Sequence, residues 1–249
     1  MKGYRVLSEV LKEVDMVKRI PRRKDQSLRD YPLYTIPEAA LYLAIPENTL
    51  RYWITSHPLW LVNHHVGKNV PFLSFHDIAQ AYFIEVVRRY TPLTISDVRR
   101  ILKAAQLESK AKYPLLKENI RVFQKHVLMD KQARGKRPRQ VIDLSRHPQL
   151  AIPEVIQPLS TRIRWDSNGV VQVYPWRNWS GEATDQARPV TIDPEVMSGR
   201  LVISGTRIPV EVVALRKQSG ETIKELAQDY RLSEDAISKA LTHLVPKAA

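Results

Sequence analysis

Thr35-Ile36-Pro37-Glu38-Ala39-Ala40-Leu41-Tyr42-Leu43-Ala44-Ile45-Pro46-Glu47-Asn48-Thr49-Leu50-Arg51-Tyr52-Trp53-Ile54-Thr55 is the stretch from which the fold can be read. Thr35 and Glu38 have the spacing of a capping box, in which the Thr hydroxyl accepts an orphan backbone N–H and the Glu carboxylate reaches back. A short helix with Ala39, Ala40, Leu41 and Leu43 follows, and Ala44-Ile45-Pro46 breaks it. A second helix over 47–55 buries Leu50, Trp53 and Ile54 and leaves Asn48, Thr49, Arg51 and Tyr52 facing away. Two helices crossing at small residues, a tight turn and one free polar face are what a helix-turn-helix needs to enter the major groove. Asn and Arg can make bidentate contacts to base edges, and Thr, Tyr and Arg can hold phosphate. Asn48, Thr49, Arg51 and Tyr52 are therefore candidate DNA contacts.

Working outward, residues 61–66 and 70–75 read as a hairpin around Gly67-Lys68-Asn69. Such a wing would lay Lys68 and Asn69 on the DNA backbone or in the minor groove. A longer helix is expected from about Asp77 to Arg89. Another begins near Thr94, with Ile95, Val98, Ile101 and Leu102 at helical spacing, and a further one is expected over 115–128. On the N-terminal side, Leu7, Leu11, Val14 and Val17 predict an amphipathic helix that closes the domain's own core or docks a partner, with a charged link after Pro21.

Beyond a basic stretch from Asp130 to Arg139, expected to be an exposed loop, the period changes to two. Residues 141–144 read as a strand, and 161–165 with 170–174 flank Asp166-Ser167-Asn168-Gly169, a tight-turn signal because Asn-Gly accepts positive φ. An irregular segment holds Trp176, Arg177 and Trp179. In the last sixty residues a strand is expected at Leu201–Ile203 and Pro209 opens a helix. Thr222 and Glu225 form another capping box, and Ser233 caps the final helix after a turn at Arg231-Leu232. The plan is again a helix-turn-helix, with Arg207, Ser238 and Lys239 as weaker candidate DNA contacts. No repeat of fixed period is visible. The expected fold is mainly α with small β elements. It is divided into an N-terminal helix and linker (1–30), a winged helix-turn-helix with following helices (31–139), a β-hairpin connecting region (140–189) and a C-terminal helix-turn-helix domain (190–249).

Charge supports a polyanionic partner for the first half. The chain carries 39 Lys and Arg against 26 Asp and Glu, a net +13. Fifteen basic and four acidic residues lie between Arg88 and Arg139, whereas from Asp185 onward there are nine of each. Phosphate neutralisation is the main sequence-independent term in DNA affinity, so the first unit is expected to read DNA and the second mainly to dimerise or support the complex. There is no run of about 18 apolar residues, so no membrane span is expected. The N-terminus lacks the uninterrupted apolar stretch of a signal peptide, and there is no cysteine; a cytoplasmic protein is expected. His57, His64, His65, His76, His126, His147 and His243 have no metal-ligand spacing. No phosphate-binding Gly loop, nucleophile elbow or paired-carboxylate pattern is present either. Neither enzyme activity, a catalytic residue, a metal nor a cofactor is expected.

Two resemblances add to this reading. The segment from Tyr34 to Trp53, the wing, Ser74-Phe75-His76-Asp77-Ile78 and Leu93-Thr94-Ile95-Ser96-Asp97-Val98-Arg99 resembles the DNA-binding half of MerR-like regulators. The long dimerising coiled coil and cysteine-bearing effector loop of that family's metal sensors do not follow, so metal sensing is not carried over. The string Ile192 to Val210, with Gly199, Gly205-Thr206-Arg207-Ile208-Pro209-Val210 and then Asp229-Tyr230-Arg231-Leu232-Ser233, resembles a small bacterial family long known as a domain of unknown function and treated as antitoxin-like. The combination looks like the longer VapB-type antitoxins. The resemblance implies a homodimer that binds promoter DNA, represses its own operon and neutralises a PIN-like ribonuclease toxin. PIN-type nucleases hold divalent metal with clustered acidic residues, so an inhibitor succeeds by inserting a cation or blocking entry. Trp176, Arg177 and Trp179 have the residue types of interface hot spots and are candidate toxin contacts; equally, they anchor this segment to the protein's own sheet. A regulator without a toxin, or an RNA-binding accessory protein using Lys131 to Arg139, are the alternatives.

Overall fold

The first helix-turn-helix forms because each local signal agrees with the next. The Thr35 hydroxyl accepts the Glu38 N–H at 3.3 Å, opening helix α1 (Ile36–Leu43). Ala44 takes the left-handed conformation (φ 56°), and its N–H and that of Ile45 return to the last carbonyls of α1. Pro46 then leads into helix α2 (Glu47–Thr55), which buries Leu50, Trp53 and Ile54. Glu38 is buried, and its carboxyl lies between the Thr35 backbone N–H at the start of its own helix and the Tyr42 hydroxyl one turn on.

This is a computed structural model that describes residues 27–55, 64–66, 70–90, 93–116, 120–123, 126–131, 140–144, 162–167, 169–178 and 187–244. The wing is present as strands β1 (Tyr34–Thr35), β2 (His64–Val66) and β3 (Val70–Leu73) in the antiparallel order β1-β3-β2. Its tip, with Lys68 and Asn69, lies outside the described residues, as does the predicted N-terminal helix. Helix α3 (Phe75–Tyr90) starts two residues earlier than expected, since Ser74 and Asp77 cap one another reciprocally at 2.8 and 3.2 Å. Helix α4 (Ile95–Ser109) has a complete Thr94/Asp97 capping box.

The expected helix over 115–128 is not formed. After a short 3-10 turn, Pro114–Leu116, the chain makes strands β4 (Ile120–Phe123), β5 (His126–Lys131) and β6 (Gln140–Asp143), an antiparallel meander. Apolar residues here fit both periods, but Val127 and Met129, two apart, are both buried, and β6 offers β5 a partner strand. Asp130 and Lys131, expected in a loop, extend β5 and pair with Val141 and Gln140.

The expected hairpin is present as β7 (Ile163–Asp166) and β8 (Gly169–Val173), with Gly169 at φ 114°. It is not a free-standing connector. Val173 pairs with Ile192 of β9 (Val190–Ile192), which pairs with β10 (Leu201–Ile203), giving one sheet of order β10-β9-β8-β7. Helices α5 (Val210–Gln218), α6 (Ile223–Tyr230) and α7 (Glu234–Leu244) complete the chain. The architecture is mainly α with small β elements: among the described residues there are seven α-helices and three small antiparallel sheets. No helix among them is long and apolar enough to cross a membrane.

The two helix-turn-helix units, expected as separate motifs, match one another in register. Thr35, Ile36, Glu38, Ala40, Glu47 and Thr55 correspond to Thr222, Ile223, Glu225, Ala227, Glu234 and Thr242. Ala44 and Arg231 are both left-handed (φ 56° and 54°), and the bonds Ile45 N–H to Ala40 C=O (3.0 Å) and Leu232 N–H to Ala227 C=O (2.9 Å) are equivalent. Both units, and the hairpin between them, contribute to one continuous hydrophobic core.

Candidate nucleic-acid interface

The candidate DNA contacts of the first unit lie on the outer side of α2. Asn48, Arg51 and Tyr52 are exposed and Thr49 is half-buried, while Leu50, Trp53 and Ile54 anchor the opposite side. Ala39 and Ala40 are buried where α1 meets the core, so the small residues serve the close packing their size allows. Arg51 pairs with Glu47 one turn earlier at 2.5 Å, both side chains remaining largely in solvent. Such a surface pair contributes little to stability and leaves the guanidinium free to exchange partners. Tyr52 is 43% exposed, a high value for an aromatic side chain.

Arg88 was not singled out in the sequence. It lies on α3 with its guanidinium 5.3 Å from the Trp53 ring centroid and stays exposed, which brings a cation to the edge of α2. The signal was available in Arg88-Arg89 at the end of a helix, but nothing in the sequence showed that α3 ends beside Trp53. Arg100 and Lys103 on α4 are also exposed.

In the second unit, α7 occupies the place of α2. Asp235, Ala236, Ser238 and Lys239 stand where the first unit has Asn48, Thr49, Arg51 and Tyr52. Lys239 pairs with Asp235 at 2.7 Å, and Ser238 is half-buried. Arg207 sits elsewhere, exposed on the turn between β10 and α5. That turn is stiff. The Thr206 hydroxyl donates to the Ile203 carbonyl (2.8 Å) and accepts from the Ile208 N–H (3.0 Å), Gly205 adopts φ 77°, and Val202 bridges to Pro209.

Of the candidate toxin contacts, Trp176 is buried and stacked on His243, ring centroids 6.4 Å apart. Arg177 is half-buried, donating through Nε to the His243 carbonyl at 2.9 Å and through its backbone N–H to His243 Nδ1 at 3.2 Å. Both residues tie their segment to the end of α7. Trp179 lies outside the described residues.

The two units meet around α1. The Tyr34 hydroxyl donates to the Gly199 carbonyl at 3.0 Å, and a Cβ on Gly199 would stand 2.1 Å from that hydroxyl oxygen. Tyr42 donates its hydroxyl to Glu211 of α5 at 3.2 Å, and its carbonyl lies 2.8 Å from His243 Nε2. Burial pushes the Glu38 carboxyl up to about 8, with Glu211 adding repulsion and the Tyr42 hydrogen bond opposing. Burial holds His243 down at about 4, against the pull of the Tyr42 carbonyl. The neutral ring is satisfied on both sides, Nε2–H donating to Tyr42 and Nδ1 accepting from Arg177; a second proton would break the latter bond. Among the described residues no group of three or more His, Asp or Glu side chains is placed to hold a metal.

Gly199 and the Gly205–Pro209 turn thus explain the unusual string of the C-terminal unit: one glycine receives Tyr34 and the other allows the turn. Residues 190–243 match the family described as Protein of unknown function (DUF433). The solved structure of Rv2018 from Mycobacterium tuberculosis is similar over 85% of this chain and 98% of its own, with a TM-score of 0.60 and 20% identity. That likeness extends well beyond the DUF433 segment and concerns the fold. No curated protein sequence matches the chain.

Proposed function

We propose that this chain reads duplex DNA through α2, acting as a dimer on the promoter of its own operon, and that it is the antitoxin of a PIN-like ribonuclease. The observation that carries the DNA-reading part is the helix α2 itself: Asn48, Arg51 and Tyr52 stand in solvent on a helix whose other side is locked by Leu50, Trp53 and Ile54. Its neighbour Arg88 and the basic excess between Arg88 and Arg139 favour a phosphate-rich partner. The antitoxin part rests on the resemblance to VapB-type proteins. The stiff turn that presents Arg207 suits insertion of a cation into an acidic nuclease centre. Half-site symmetry makes a dimer the expected DNA-bound form.

The test is a titration of the full chain against the duplex upstream of its own gene at several salt concentrations. Tight binding that weakens steeply with salt, and exceeds binding to an unrelated duplex, is expected. Equal affinity for any duplex, or preference for structured RNA, overturns the promoter-reading role. Purification with the protein encoded beside it tests the antitoxin role, which fails if no nuclease co-purifies or is inhibited.

A further inference from the structure

The contact between the two units is polar at a place where an apolar one would be simpler. Glu38 and Tyr42 lie one turn apart on α1, and Glu211 approaches from the first turn of α5. All three are buried. The Tyr42 hydroxyl has one hydrogen, which lies toward Glu211 Oε2 at 3.2 Å, and the Glu38 carboxyl is also within reach of that hydroxyl, so the two carboxyls compete for it. Among the described residues Glu38 Oε2 and Glu211 Oε1 find no hydrogen-bond partner, though Arg200 Nε lies 3.6 Å from the latter. Two buried carboxylates that share one hydroxyl cannot both be ionised at small cost. The arrangement that satisfies the chemistry is a directed chain: the Glu38 carboxyl O–H donates to Tyr42, Tyr42 donates to Glu211, and ionised Glu211 faces Arg200. Tyr34 on β1 completes the surroundings, with Asp193, after β9, acting on it.

We propose that the C-terminal unit is a clamp that positions the reading helix, gripping Tyr42 at its hydroxyl through Glu211 and at its carbonyl through His243, and that one proton held on Glu38 keeps the clamp closed. This rests on the reading of DNA by α2 in one respect: Tyr42 lies two residues before the turn that aims α2, so loosening the grip lets the reading face drift. Glu38, Tyr42, Glu211 and His243 are positioning residues and need not touch DNA.

The pH window follows from the two titrating groups. Once the clamp opens, Glu38 reverts to an ordinary carboxyl, so between its usual range and about 8 each rise in pH favours opening. His243 works in the other direction: below its usual 6.5, each fall in pH favours opening, down to about 4. The Arg177 and Arg89 cations beside His243 reinforce its neutral form. The two effects oppose one another in weakly acidic solution, and above about 6.5 the Glu38 effect stands alone.

Hydrogen exchange of the full chain, corrected for the intrinsic rate, reads the clamp without DNA. Protection of residues 36–55 relative to 75–90 is expected to fall by about tenfold from pH 6.5 to 8 in the wild type. Glu38→Gln, which keeps a neutral carboxamide at every pH, is expected to hold that protection level. Tyr42→Phe is expected to lower it at all pH values. Identical pH profiles for wild type and Glu38→Gln overturn the proposal, and Tyr42→Phe with undiminished protection does so independently. Promoter affinity measured in parallel separates the two claims: if exchange follows this pattern but no DNA binds at any pH, the clamp stands and the reading of DNA by α2 fails.

Discussion

Thr35–Thr55 and Thr222–Thr242 share one backbone plan and differ in what they show to solvent. Both begin with a capping Thr, turn at a left-handed residue and seat an aliphatic side chain, Leu50 or Ile237, in the core. At the outward positions the first unit has Asn48, Thr49, Arg51 and Tyr52, whereas the second has Asp235, Ala236, Ser238 and Lys239. Beneath them the first unit has Trp53 and the second Ala240. The motif's backbone therefore specifies a shape, and the side chains at four positions specify whether that shape suits DNA. An α7 that begins Glu234-Asp235 brings negative charge to the end that would approach phosphate. The second unit instead spends its surfaces on contact with the first, through Gly199, Glu211 and His243.

The largest expected effect tests the support beneath the proposed reading face. Trp53→Ala removes a fully buried indole and the platform under Arg88, and is expected to cost about 3–5 kcal/mol of unfolding free energy by urea titration. Its counterpart Ala240 is already small, so a loss below 1 kcal/mol for Trp53→Ala would mean that the two units do not differ in this way. Gly199→Ala follows, at about 2–4 kcal/mol, because the new methyl meets the Tyr34 hydroxyl at a backbone φ of 81°. Tyr34→Phe combined with Gly199→Ala should recover little, since the ring carbon bearing that hydroxyl stands only 3.0 Å from the same Cβ position.

Stability against pH distinguishes the two sides of the contact between units. In the wild type the Glu38 and His243 effects oppose one another between about 4.5 and 6.5, and the melting temperature is expected to stay nearly level there. Glu38→Gln removes one of them. Its folded state then loses stability as pH falls below 6.5, because the unfolded imidazole takes up a proton that the buried ring refuses, by up to about 1.4 kcal/mol per pH unit. A level profile for Glu38→Gln in calorimetric melts from pH 7 to 4.5 would show that His243 does not carry this linkage.

Much of this architecture was legible in the sequence because its local signals were strong. The Thr94 cap, the Thr222/Glu225 box, Pro209 and the Asn168-Gly169 turn all act over a few residues, and the elements they mark are present. The failures have physical causes. Residues 115–128 carry apolar side chains compatible with both periods; β4 pairs with β5, and β5 is completed by pairing of residues 128–131 with 140–143, which local reading does not reveal. The match between the two units was hidden because it lives in caps, a left-handed turn and buried aliphatics, while the exposed positions differ. Of the candidate site, the outward positions of α2 were legible from helical spacing alone. Arg88 beside Trp53, and the use of Trp176 and Arg177 against His243, depend on tertiary contacts between distant segments. In the sequence Glu38 has only the spacing of a capping residue; its buried role appears with Glu211 beside it.

The smallest effect is expected in the second unit, and paired with the first it gives the most direct test. Promoter affinity of the full chain, measured at one salt concentration for Arg51→Ala and for Lys239→Ala, compares two solvent-facing cations, each paired one turn back on the second helix of its helix-turn-helix. Arg51→Ala is expected to weaken binding by about tenfold, near 1.4 kcal/mol, without changing the melting temperature, and Lys239→Ala by less than about 0.5 kcal/mol. Unchanged affinity for Arg51→Ala, or a larger loss for Lys239→Ala, would contradict the assignment of DNA reading to α2.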